Sequence, residues 1–295
     1  MTDSCTRHRR GAAALAALLL LSGGGAALSE QSAGERTIIF GALDESGKPV
    51  KDIKAGEILI REDGVDRELV SVKPTTETLN IMLLADTSQA ADDMLRDLRV
   101  SLMGFVRQVQ TVNPDAQISL MEFGQAAVTV VPFTTSAVDL EKGVNTLVGK
   151  PRTASVLLEA INAASNNLGK RPSPRRAIVA LNVEPSDEQS REDPKRIVES
   201  LRKSIAQFWC VSIQRGALRN PQRDVVLNVL TKNTGGDRQF IVAQSAIETH
   251  LRNFADALTT QYEATYKRPS GKATAVQIGV TRQGVKLHAS GFAPQ

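Results

Sequence analysis

The strongest structural signal in this chain is the stretch Ile81-Met82-Leu83-Leu84-Ala85-Asp86-Thr87-Ser88-Gln89-Ala90. Its first five residues form a continuous apolar run, which is typical of a strand buried on both faces of a parallel sheet. Polar residues follow at once, and apolar residues then recur at helical spacing from position 94 to position 109. The stretch therefore predicts a buried strand, a tight loop and a long amphipathic helix.

The alternation of strands and helices continues toward the C-terminus. It predicts strands at 117–123, 127–133, 177–183, 207–213 and 239–242, and helices at 156–168, 194–205, 222–233 and 245–262. Strands that alternate with helices of this length are connected by right-handed crossovers. We therefore predict an α/β fold, a doubly wound and mostly parallel sheet that is Rossmann-like and flanked by helices.

Short β-rich segments lie on both sides of this α/β region. The first is residues 30–76, where Glu62-Asp63-Gly64 predicts a hairpin turn between 57–60 and 68–72, and the second is residues 265–295. Neither segment is long enough to bury a core alone. We expect the two to pair into one small β-rich subdomain beside an α/β domain at 77–264.

Residues 1–29 have the three-part order of a secretory signal peptide. Arg7, Arg9 and Arg10 precede an apolar run at 11–21, and small residues follow before Glu30. The alternative is a membrane anchor, but the run is too short for a bilayer core of about 30 Å. We predict cleavage after Ser29, export to the periplasm or the extracellular space, and no integral membrane segment in the mature protein.

Composition excludes several classes of function. The 295-residue chain carries a formal charge of +4, but residues 1–29 contain three arginines and one aspartate, so the mature chain has 33 basic and 31 acidic residues. This near balance argues against a nucleic-acid partner. One cysteine, Cys210, remains after cleavage, and neither a Gly-x-Ser-x-Gly motif nor a phosphate-binding loop is present. We therefore predict a protein that is not an enzyme.

The basic segment Gly169-Lys170-Arg171-Pro172-Ser173-Pro174-Arg175-Arg176 allows two interpretations. It either grips an acidic partner or serves as a solvated connector before the next strand.

The loop at 86–90 is the first candidate site. In open α/β sheets, ligands bind at the carboxyl ends of the strands. Asp86 and Ser88 place a carboxylate and a hydroxyl two residues apart on a strand-to-helix loop, and hard oxygens of this kind suit Mg²⁺ or Ca²⁺. Alternatively, Asp86 or Ser88 caps the following helix.

This loop resembles the start of a von Willebrand factor type A domain, in which an Asp-x-Ser-x-Ser loop begins a metal-ion-dependent adhesion site. The wider layout resembles the bacterial exported proteins called von Willebrand factor A-related. That resemblance is carried by the segments Asp44–Val50, Arg61–Gly64, Thr234–Gly236, Leu258–Tyr266 and Gly291–Phe292.

The resemblance implies metal ligands at Asp86, Ser88 and Ser155, but two further positions depart from the family pattern. Ala90 stands where the family has a hydroxyl, and Val183 stands where it has an aspartate. Compared with the family site, a hard cation bound here would therefore lack one hydroxyl ligand and one carboxylate ligand. We therefore expect an adhesion site that is weak or lost and no cofactor, with weak binding of Mg²⁺ or Ca²⁺ as the alternative.

The function implied is that of an exported, non-enzymatic, adhesion-like module of the bacterial cell envelope that binds another protein without a metal. The expected partner-binding face consists of Gln89, Ala90, Thr153, Glu184 and Asp187. Two alternatives stay open. One is metal-dependent ligand binding through Asp86, Ser88 and Ser155, and the other is a structural or assembly role of the β-rich subdomain.

Overall fold

Strands and helices alternate through the middle of the chain, as the hydrophobic pattern predicts. The computed structural model describes residues 34–216, 220–268 and 273–294. The strands are β1 (Glu35–Asp44), β2 (Ile58–Glu62), β3 (Val65–Arg67), β4 (Leu69–Pro74), β5 (Asn80–Asp86), β6 (Gln117–Phe123), β7 (Ala127–Thr134), β8 (Arg176–Glu184), β9 (Gln207–Gln214), β10 (Arg238–Ile241), β11 (Gln261–Lys267), β12 (Val276–Val280) and β13 (Val285–Ala289). The helices are α1 (Leu95–Val112), α2 (Ala137–Thr146), α3 (Leu157–Gly169), α4 (Pro194–Ser204), α5 (Pro221–Thr234) and α6 (Ala246–Thr259).

Six strands form the central sheet, in the order β10-β9-β8-β5-β6-β7. All neighbouring pairs are parallel except β6 and β7, which are antiparallel. Every residue of β5 is buried, because helices α1, α2 and α6 cover one face of the sheet and α3, α4 and α5 cover the other. The predicted α/β fold class is confirmed, with an antiparallel edge strand.

Helix α2 was not predicted from the sequence. It begins after Ser136, whose hydroxyl accepts the backbone N–H of Asp139 and so caps the helix. Three residues of its ten, Leu140, Gly143 and Val144, are buried. Three buried residues are too few to produce a clear helical periodicity in the sequence.

The predicted last helix extends too far. Helix α6 ends at Thr259, and strand β11 begins two residues later at Gln261. The ring of Tyr262 stacks on Phe40 at 5.4 Å between centroids, in the core of a different part of the molecule. Tertiary packing therefore overrides the helical spacing that Tyr262 shares with the preceding residues.

The flanking β-rich segments form two antiparallel sheets. One has the strand order β13-β1-β11-β4, and the other has the order β12-β2-β3. Both sheets contribute to one apolar core, which includes Phe40, Ile60, Tyr262 and Tyr266. We call this pair of sheets the β-sandwich. The hairpin turn at Asp63-Gly64 joins β2 to β3, while β4 crosses to the other sheet and pairs with β11. A boundary after residue 264 falls within β11, so a division of the chain there would cut a strand.

The β-sandwich packs closely on the α/β region within one compact unit. The imidazole of His288 in β13 stacks on Trp209 in β9 at 5.2 Å between ring centroids. A hydrogen bond from Gln207 Nε2 to the carbonyl of His288 at 3.1 Å joins the same two strands, and the N–H of Gly291, after β13, donates to the carbonyl of Asn233 in α5 at 2.8 Å. This interface is therefore both apolar and hydrogen-bonded.

The basic segment at 169–176 has a role that neither sequence interpretation included. Arg175 is buried, and its Nη2 donates to the carbonyls of Leu258 and Thr259 at 2.7 and 3.0 Å. These are carbonyls of the last turn of α6, which the helix itself leaves without a donor. Burial lowers the pKa of Arg175 to about 10. Arg176 donates in the same way to the carbonyl of Ser204, at the end of α4. Both guanidinium groups thus cap helices inside the fold.

The signal peptide predicted for residues 1–29 lies outside the described residues. Across 34–216, 220–268 and 273–294, no helix is both long enough and apolar enough to cross a membrane.

Candidate functional site

Three loops meet where the parallel strands reach their carboxyl ends. They are the loop at 86–90 after β5, the loop at 150–155 before α3, and the loop at 185–190 after β8. Backbone hydrogen bonds join them: Gln89 N–H donates to the carbonyl of Thr153 at 3.2 Å, and Ser155 N–H donates to that of Asp187 at 2.8 Å. The structure therefore brings the three predicted parts of the site together.

Asp86 lies at the end of β5 with its side chain fully buried. Its Oδ1 accepts the backbone N–H of Ser88 at 2.9 Å, and its Oδ2 accepts that of Val183 at 3.0 Å. Burial raises the pKa of the carboxyl to about 6, while these two amides, the Ser88 side chain and the charge of Arg223 offset part of the increase. Both carboxyl oxygens are thus already engaged within the protein.

The hydroxyl groups of the site differ in their contacts. Ser155 Oγ accepts the backbone N–H of Leu157 at 3.3 Å, at the start of α3. Ser88 Oγ and Thr87 Oγ1 are buried and make no hydrogen bond of normal geometry to the part of the chain that the structure describes. Val183 is fully buried and packs in the apolar core.

Glu184 was predicted for the partner-binding face, but the structure buries its side chain completely. Arg223 in the first turn of α5 donates through Nε to Glu184 Oε1 at 3.1 Å and through Nη2 to Oε2. The same guanidinium donates to Glu188 Oε2 at 3.2 Å and to the carbonyl of Ser186 at 3.0 Å. Glu184 is therefore not available at the surface.

Sequence reasoning missed Arg223 and Glu188, although one signal was present. Asn220-Pro221 marks the start of a helix, and Arg223 then falls in its first turn. A cation there is unfavourable next to the positive end of the helix dipole. An arginine at such a position therefore points to a carboxylate partner elsewhere in the chain.

A groove of about 750 Å³ opens above these loops. Gln89, Ala90, Thr153 and Asp187, the other four residues predicted for the partner-binding face, line it. Its remaining walls include Arg152, Gln189, Asn220 and two prolines. The lining thus carries one charge of each sign and several carboxamide groups.

The buried Asp86 carboxyl predicts a pH dependence of stability. Its pKa of about 6 in the folded protein lies above the ordinary value of 3.8, so the stability that it contributes is complete below pH 3.8 and lost as the pH rises through 6. Relative to Asp86→Asn, which does not ionise, the wild type should lose about 2–3 kcal/mol between pH 4 and pH 8. Urea unfolding of both proteins with a chelator present measures this loss. A difference that stays constant with pH would contradict the prediction.

Comparisons with known proteins agree with this architecture. The model of the von Willebrand factor type A domain family matches residues 80–257, and no curated protein matches the sequence. A von Willebrand factor type A protein from Catenulispora acidiphila is similar in structure, with a TM-score of 0.50, 13% identity, and coverage of 87% of this chain and 73% of that one.

Proximal thread matrix protein 1 from the mussel byssus, described with a zinc-occupied metal-ion-dependent adhesion site, is also similar in structure. Its TM-score is 0.53 at 10% identity, over 68% of this chain and 50% of that one. At such identities, both likenesses concern the fold alone. The family model, however, covers more than half of the sequence, including the whole of the central sheet and all but the last two residues of the flanking helices. The chain therefore belongs to the von Willebrand factor type A domain family.

Proposed function

We propose that this chain is an exported protein-interaction module of the bacterial cell envelope, which binds a protein partner in the groove without a resident metal ion. Members of its family are mostly non-enzymatic interaction modules. The observation that carries the proposal is the groove itself, which lies at the carboxyl ends of the strands, where open α/β sheets bind ligands.

The walls of the groove favour a protein partner over a small molecule. Small-molecule sites are lined mainly by apolar and aromatic side chains. The side chains of Gln89, Gln189 and Asn220 instead present carboxamides, which can both donate to and accept from a peptide backbone. The single charges of Arg152 and Asp187 are of opposite sign, so the lining favours neither an acidic nor a basic partner.

The oxygen ligands that these loops could offer support binding without a metal ion. Mg²⁺ requires nearly octahedral oxygen coordination. Here each oxygen of Asp86 and the hydroxyl of Ser155 already uses one acceptor site for a backbone N–H, and Val183 offers no ligand in place of a second carboxylate. No group of three His, Cys, Asp or Glu side chains that could hold a metal ion occurs among the described residues. These residues do not fit a resident divalent cation.

The proposal that the protein is not an enzyme is supported by the burial of two side chains that could act as a nucleophile or a base, Cys210 and His288. Cys210 is buried, and burial raises the pKa of its thiol, which keeps it in the unreactive protonated form. His288 is also buried, and its ring stacks on Trp209. Both side chains are therefore parts of the core.

One observation favours the metal-dependent alternative at Asp86, Ser88 and Ser155. The hydroxyl of Ser88 is buried without a hydrogen bond of normal geometry within the described chain, and a cation would satisfy it. The alternative role of the β-sandwich is favoured by Leu59, whose side chain on the outer face of β2 is 60% exposed.

Site-specific photo-crosslinking tests the proposal. A photoreactive amino acid replaces exposed Asp187 in the groove, and a matched protein carries it at Leu59 on the β-sandwich. Both are produced in the native host and irradiated with and without a chelator. We expect one discrete adduct with an envelope protein from position 187, unchanged by the chelator, and none from position 59.

The other outcomes each identify an alternative. Adducts from position 187 that disappear with the chelator would show a metal-dependent face. Adducts from position 59 alone would place the contact on the β-sandwich and contradict a role for the groove.

A further inference from the structure

Arg223 is a fully buried cation in a place where a positive charge is unfavourable. It is the third residue of α5, within the turn where the helix dipole favours anions. Taking a charge out of water costs several kcal/mol unless it is paired and hydrogen-bonded. The surroundings of Arg223 must therefore supply strong compensation.

That compensation comes from several parts of the site at once. The guanidinium donates to Glu184 at the end of β8, to the carbonyl of Ser186 and to Glu188. Glu188 in turn accepts the backbone N–H of Leu158 through Oε1 at 3.4 Å, in the first turn of α3. One planar group thus links a strand end, a loop and the starts of two helices.

Asp86 is connected to the same cluster. Its Oδ2 accepts the N–H of Val183, the residue before Glu184, and the charge of Arg223 lowers the pKa of Asp86 against the effect of burial. Two carboxylates, those of Glu184 and Glu188, therefore contact the guanidinium, and the charge of Asp86 interacts with it without a direct hydrogen bond. The cluster carries a surplus of negative charge even with Arg223 in place.

We propose that Arg223 is a positioning residue that replaces a metal ion at this face. Its guanidinium balances the carboxylates and holds the loop at 185–190, so that the groove forms without a cation. This inference rests on the proposed metal-independent function.

The chemistry of the guanidinium suits this role. It carries five N–H donors in one plane, so it can bridge two carboxylates and a carbonyl simultaneously, which a lysine ammonium does less well. Its permanent charge also repels a divalent cation nearby, and this repulsion is strong at a buried site. The same side chain therefore organises the face and disfavours a metal there.

Arg223→Gln in the full exported protein provides the test. Without the guanidinium, the carboxylates of Glu184 and Glu188 lose their shared counter-charge, and a divalent cation should be able to replace it. We expect the melting temperature of this variant to fall in chelator and to rise by about 4 °C with about 10 mM Mn²⁺, Mg²⁺ or Ca²⁺. The wild type should show no such rise.

Two control variants separate this effect from simple destabilisation. Arg238→Gln removes another buried arginine, which pairs with Asp224 of α5 at 2.6 Å, and it should lose stability without any response to the cation. The double variant Arg223→Gln/Glu184→Gln lowers the surplus negative charge, so its response to the cation should be smaller than that of the single variant.

The possible outcomes are distinct. If Arg223→Gln does not fold in chelator, its refolding yield with and without Mn²⁺ replaces the melting temperature. Recovery of stability or yield with the cation supports the role of Arg223. No recovery, or a recovery equal to that of Arg238→Gln or of the wild type, overturns it. The crosslink from position 187 is measured in a protein that keeps Arg223, so it is independent of the cation response. Its absence would contradict the proposed function without changing the conclusion about Arg223.

Discussion

Replacing Gly235 with alanine is expected to prevent stable folding. Gly235 ends α5 with a φ of 72°, a conformation that is strained for any residue with a Cβ. A Cβ there would lie 2.0 Å from the carbonyl oxygen and 2.4 Å from the nitrogen of Ala289 in β13. Because β13 is held by its pairing with β1, the clash is not relieved by a small shift. We expect a loss of more than about 4 kcal/mol, measured as soluble yield and urea unfolding.

Gly56→Ala is the matched control for this prediction. No atom lies within 4 Å of the Cβ that it would add, and its φ is not positive. Its stability should stay within about 0.5 kcal/mol of the wild type. If Gly235→Ala unfolds at nearly the same urea concentration as Gly56→Ala, the result would contradict the close contact between Gly235 and the backbone of Ala289.

Loss of the Glu62 carboxylate should be the second largest effect. Glu62 in β2 is fully buried and accepts from Arg268 Nε at 2.9 Å, from the Tyr266 hydroxyl at 2.5 Å and from Arg67 Nε at 3.2 Å. Arg268 and Tyr266 come from the β11 side, so the carboxylate ties together the two sheets of the β-sandwich. Breaking a buried pair leaves the arginine uncompensated. Glu62→Ala should therefore lose about 3–5 kcal/mol in urea unfolding.

Asp66→Ala provides the comparison. Asp66 pairs with Arg61 at 2.5 Å on the same sheet, but both side chains are more than half exposed. Exposed pairs contribute little because water and salt screen them. The stability of Asp66→Ala should be almost that of the wild type. Equal losses in the two variants would show that burial does not determine the strength of these pairs.

Much of the α/β fold could be predicted because its signals are local. A run of apolar residues at 81–85 and a helical stripe at 94–109 each lie in one short segment, and each forms the predicted element. Asp86, Ser88, Gln89 and Ala90 are neighbours in sequence on a single loop, so the site could be located at the end of β5. The strand order could not be predicted in this way, and neither could the division of the β-rich segments between two sheets, because both depend on pairing between distant segments.

The details of the site required the tertiary structure for the same reason. Glu184 and Arg223 are 39 residues apart, and the capping of α6 by Arg175 spans more than 80 residues. Composition and spacing cannot indicate which of several arginines a folded chain will bury. The sequence by itself determined the alternation of strands and helices, the position of the candidate loop and the substitutions at Ala90 and Val183. Only the folded chain decided which charges face the groove and which are buried beside one another, since the desolvation that drives their pairing exists only after the strands and helices have packed.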